Sequence, residues 1–195
     1  MGWYYSLGIV FENENLVNDC KNKFSQILKL SNHTEVRMST EVHKLEYSDD
    51  VVLQLLPYGL STDSFDGRDI LFERLYFYEI RDFLYKQLLN LNINFKTALF
   101  ELEAGDYLMG NDIIIEELNV RGIGEITFGH SYVSEGDSNA SSISGKHPPE
   151  YYIAKRYLDG LILNKNEFDR LKINQSEFQI FKENYYWIPL KEFKI

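Results

Sequence analysis

Glu101 and Glu103 stand two residues apart, with Phe100, Leu102 and Ala104 at the alternate positions. A strand over Lys96–Ala104 would therefore present both carboxylates on one face. Asp106, Asp112, Glu116 and Glu117 follow close behind, near enough for a hairpin to gather them. Paired carboxylates can act as general acid and base in glycoside hydrolysis, or hold a metal ion in a nuclease. Between Glu101 and Glu117 there is no lysine, arginine or histidine to complete such a site. The same acids without those groups make a docking face for a cationic partner.

Other chemistries find less support. His33, His43, His130 and His147 are isolated, with no second histidine at ligand spacing, so no zinc site is expected. The stretch Asp106–Glu117 misplaces its turn glycine, Gly110, for a calcium loop. Gly122, Gly124 and Gly129 lack the Gly-Lys-Ser or Gly-Lys-Thr of a phosphate loop and read as turn residues. His130 and Ser131, as neighbours in a strand, would point to opposite faces and could not act as base and nucleophile. The expectation is a chain with no catalytic residues, no metal and no cofactor.

The elements that must position these residues follow from periodicity. Trp3–Phe11 reads as a first strand, with Gly8 as a bulge or point of close approach. Asn13 caps an amphipathic helix whose stripe is Leu16, Val17, Cys20, Phe24, Ile27 and Leu28. Two strands, Glu35–Tyr47 and Val51–Tyr58, are joined by a turn at Ser48-Asp49-Asp50, and a loop covers Ser61–Arg68. A helix from Asp69 turns Phe72, Tyr76, Ile80, Phe83, Leu84 and Leu88 one way and Glu73, Arg74, Arg81, Asp82 and Lys86 the other. After Lys96–Ala104, strands are expected at Ile113–Val120 and Glu125–Tyr132, then a mobile loop over 131–149. Asp159-Gly160 suits a tight hairpin turn, and Asn164 with Glu167 caps a short helix through Lys172. Ser176–Lys182 reads as another short helix and Tyr185–Leu190 as a last strand. The fold class is α+β, mainly antiparallel sheet with two main helices and short C-terminal helices, in a single domain over 1–195.

Charge is concentrated where the candidate acids lie. Residues 97–145 carry nine acidic side chains against the single Arg121, a net −8 out of the whole chain's −10. Such a field repels nucleic acid phosphates and anionic membranes and attracts basic proteins. Of the 195 residues, 14 are tyrosines, gathered partly as Trp3-Tyr4-Tyr5, Tyr151-Tyr152 and Tyr185-Tyr186-Trp187. Neighbouring aromatics in a strand face both ways, so one of each pair is either an exposed anchor or buried under a second layer. Cys20 is the single cysteine, which fits a reducing compartment. The Met1-Gly2-Trp3-Tyr4-Tyr5-Ser6 start shows no secretory pattern, and a cytoplasmic location with no membrane span is expected.

In size, acidity and tyrosine content over the whole chain, the sequence resembles the immunity proteins that bacteria use against polymorphic nuclease toxins. The resemblance implies an inhibitor that covers the active site of a basic toxin domain. Glu101, Glu103, Asp106, Asp112, Glu116 and Glu117 would then pair with its lysines and arginines, with tyrosines such as Tyr107 and Tyr132 as anchors. Two other readings are a nucleic-acid-mimicking anti-restriction or anti-defence protein and a carboxylate-based hydrolase.

Overall fold

The computed structural model describes residues 5–24, 27–45, 48–57, 70–102, 104, 108, 158–170 and 175–190, with the backbone alone for 70–76, 101, 102 and 175. The protein is α+β. Its strands are β1 (Tyr5–Phe11), β2 (Leu28–Lys29), β3 (Glu35–Val36), β4 (Met38–Lys44), β5 (Val51–Pro57), β6 (Thr97–Leu102), β7 (Ile162–Asn164), β8 (Gln179–Lys182) and β9 (Tyr185–Trp187). The helices are α1 (Glu14–Phe24), α2 (Ile70–Leu89) and α3 (Lys165–Arg170), with a 3₁₀ turn at Gln175–Glu177. Seven strands form one sheet in the order β4-β5-β1-β6-β7-β9-β8, all antiparallel neighbours, and β2 pairs with β3 apart from it.

Strand alternation sends Leu7, Ile9 and Phe11 of β1 to one face together with Val51, Leu53 and Leu55 of β5, Ala98 and Phe100 of β6, Ile162 of β7 and Trp187 of β9. Val17, Cys20 and Phe24 of α1 and Ile80, Leu84, Tyr85 and Leu88 of α2 cover this face. Each leucine or isoleucine taken fully out of water here contributes roughly 1.5–3 kcal/mol. The opposite face buries a second cluster, in which Val10, Val52, Leu99 and Leu163 pack with Leu108, Leu158, Leu161, Phe168, Phe178 and Ile188.

Local signals behave as their chemistry requires. The Asn13 side-chain oxygen accepts from the Leu16 amide, and that of Asn164 from the Glu167 amide at 2.8 Å, so each caps its helix. At Leu158–Leu161 the Leu161 amide donates to the Leu158 carbonyl at 2.9 Å across Asp159-Gly160, and Gly160 has φ +94°. No other residue suits that turn, because a Cβ on Gly160 would also collide with the Tyr85 hydroxyl. That hydroxyl, buried on α2, donates to the Gly160 carbonyl at 2.8 Å and ties the turn to the helix layer. The strand that would precede this turn lies outside the described residues.

Four expectations need correction. Ile27 and Leu28 are not part of the first helix: Ile27 is 50% exposed, and Leu28 pairs with Val36 in the β2–β3 hairpin. The hairpin lets Leu28, Leu30 and Val36 all reach the core, which a continued helix would not. The long strand Glu35–Tyr47 is broken at Arg37, its first two residues pairing with β2 and the rest with β5. Arg81 lies on the buried side of α2, its guanidinium closed by Asp82 at 2.7 Å and stacked 4.7 Å from the Tyr78 ring centroid. Ser176–Lys182 is a 3₁₀ turn and a strand, not a helix. Phe178 and Phe181 bury on opposite sides of the sheet, which their odd separation permits in a strand but not on a single helix stripe.

The aromatic run Tyr185-Tyr186-Trp187 is buried on both sides. Tyr185 and Trp187 join the helix-covered core, while Tyr186 stacks on Phe168 with centroids 4.4 Å apart. Among the described residues, no helix is long and apolar enough to cross a membrane.

Candidate functional site

The face away from α1 and α2 is apolar at one end and polar at the other. Its row through Val10 runs His43, Val52, Val10, Thr97, Leu163, Tyr186 and Ile180 from one sheet edge to the other. One pleat further, Glu41, Gln54, Gly8 and Leu99 lie side by side, and beyond them Ser39 meets Leu56 and Ser6 meets Glu101. The change from valine and leucine to serine, glutamine and glutamate along one face makes this end the candidate site.

At its centre Ser6 is fully buried, and its hydroxyl accepts a hydrogen bond from the Gln54 amide at 3.0 Å. A buried polar pair on two central strands costs desolvation that two apolar residues would avoid. Gly8 lies next to it, and a Cβ there would stand 2.5 Å from Leu108 Cδ1 and 3.2 Å from the Ala104 carbonyl oxygen. The close approach foreseen at Gly8 is therefore real: it seats Ala104 and Leu108, both buried, on the sheet directly after β6. The base of the strands is braced by Lys96, whose ammonium meets both Asp50 carboxylate oxygens at 2.8 and 2.9 Å.

On the edge strand β4, Glu41 is exposed and its carboxylate is 3.6 Å from His43 Nε2, beyond hydrogen-bonding distance. Among the described residues, that buried Nε2 atom has no hydrogen-bond partner. Glu41 and Glu101 sit on strands separated by β5 and β1, three strand spacings and two residues of register apart, roughly 16 Å at the backbone. Among the described residues, no group of histidine, cysteine and carboxylate side chains is arranged to hold a metal. Cys20 is fully buried under the sheet, and burial pushes its thiol up to about 12.

Of the sequence-predicted site residues, Glu101 is placed in β6 opposite Ser6. Glu103, Asp106, Tyr107, Asp112, Glu116, Glu117 and Tyr132 lie outside the described residues, as do the strands expected at Ile113–Val120 and Glu125–Tyr132 and the loop over 131–149. No family model, curated protein or solved structure matches this chain. The tract must therefore be read from its own chemistry. Sequence reasoning missed Ser6, Gln54, Glu41 and His43. A serine and a glutamine within otherwise apolar strands, Tyr5–Phe11 and Val51–Pro57, were the signal that could have found the first two.

Lys182 is the other unusual ionisable group. Its ammonium donates to the Leu88 carbonyl in the last turn of α2 and to the Leu91 carbonyl just beyond it, at 3.0 and 2.7 Å, and lies 5.1 and 4.8 Å from the Phe95 and Tyr185 ring centroids. Burial pushes it down to about 8. The Tyr185 hydroxyl beside it is raised by burial and bonded to both backbone groups of Phe95. This arrangement closes the C-terminal end of α2, leaving carbonyls that a helix cannot satisfy internally with a donor.

Proposed function

We propose that the protein is an acidic protein-binding module, most simply an immunity-type inhibitor that neutralises a basic, nuclease-like toxin domain by covering its active site. The observation that carries this reading is the charge of residues 97–145, nine acids against one arginine, in a segment that begins with β6. The Glu101 position begins that segment at the polar end of the sheet, and Glu41 on the edge strand is exposed. Opposite charge on the partner would steer encounter, and apolar anchors such as Tyr107 and Tyr132 would set the lifetime. The protein would act in the cytoplasm without a cofactor and without touching nucleic acid itself.

Co-purification from a lysate of the source organism at low and high salt tests the reading. A single basic partner in stoichiometric amount, weakened by salt, is the expected result. Capture of many unrelated nucleic-acid enzymes would replace it with nucleic-acid mimicry. Metal- or pH-dependent hydrolysis with no partner would replace it with an enzyme. With the partner in hand, changing Glu101, Glu103, Asp106, Asp112, Glu116 and Glu117 to Gln or Asn should slow association by one to three orders of magnitude and flatten its salt dependence. An unchanged association rate in stopped flow would remove the acidic segment from the mechanism.

A further inference from the structure

We draw no further inference here: the strongest candidate, the Lys182 side chain held between the Leu88 and Leu91 carbonyls and the Phe95 and Tyr185 rings where β8 meets the end of α2, is already occupied in closing that helix, and only the effect of burial on its amine would point to any reactivity.

Discussion

The two faces of the seven-stranded sheet bury their residues on different terms. Under α1 and α2, β1, β5, β6, β7 and β9 contribute apolar side chains throughout, from Leu55 and Phe100 to Ile162 and Trp187. On the other face, Val10, Val52, Leu99 and Leu163 give way to Ser6, Gln54 and the register position of Glu101. The first face is apolar among the described residues. The second keeps a buried polar pair where leucines would pack at lower cost, which marks the end of the sheet from which the acidic segment departs.

Mutations should separate the faces. The largest effect is expected at Leu53, fully buried under the helices, where Leu53→Ala should lose about 2–5 kcal/mol by transfer and cavity terms. On the opposite face, Glu41→Gln at the exposed edge should stay within about 0.5 kcal/mol. Urea titrations of the two variants would break the comparison if their midpoints moved equally.

A sharper test concerns the polar pair. Gln54→Leu strips the donor from the buried Ser6 hydroxyl and should cost about 1–3 kcal/mol, whereas Ser6→Ala with Gln54→Leu should recover most of that loss. If the double variant were no more stable than Gln54→Leu alone, the pair would be part of the fold's stability rather than a departure from it.

A pH dependence is expected on the helix-covered side. Lys182 titrates at about 8 in the folded chain, below the roughly 10.4 of an unfolded lysine. A lowered lysine means that the unfolded state binds the proton more readily. Its contribution therefore opposes folding below about pH 8 and is relieved as pH rises towards 10.4. Cys20 acts in the reverse sense, because its folded thiol resists ionisation up to about 12. Subtracting the stability profile of Lys182→Met from that of the native chain cancels the cysteine and leaves the lysine. The difference should rise between pH 8 and 10; a flat difference would show that the carbonyls and rings offset the burial entirely.

Much of the local structure was legible because its causes are local. Asn13 and Asn164 announce helix starts through oxygens that reach amides three residues on. The Phe100 position, the Asp159-Gly160 turn and the Ile80, Leu84 and Leu88 spacing need only the chain's own geometry. Ile27 and the Phe178 to Phe181 stretch were misread for the complementary reason: a three- or four-residue spacing satisfies a helix, yet a hairpin or sheet with a core on each side can accept the same residues in another form; Arg81 stays in its helix but is buried because Asp82 and Tyr78 partner its charge.

The candidate site divides along that line. By itself, the sequence determined the total charge, its concentration in residues 97–145, the caps and the main helical and strand periods, since each depends on residue types and short spacings. Only the tertiary structure decided that Gln54 would bond Ser6, 48 positions away, that Tyr85 would reach Gly160, and that Gly8 would seat Ala104 and Leu108 beside β6. Those contacts arise from strand order and register, which are set by burial of both sheet faces at once rather than by any local run of residues.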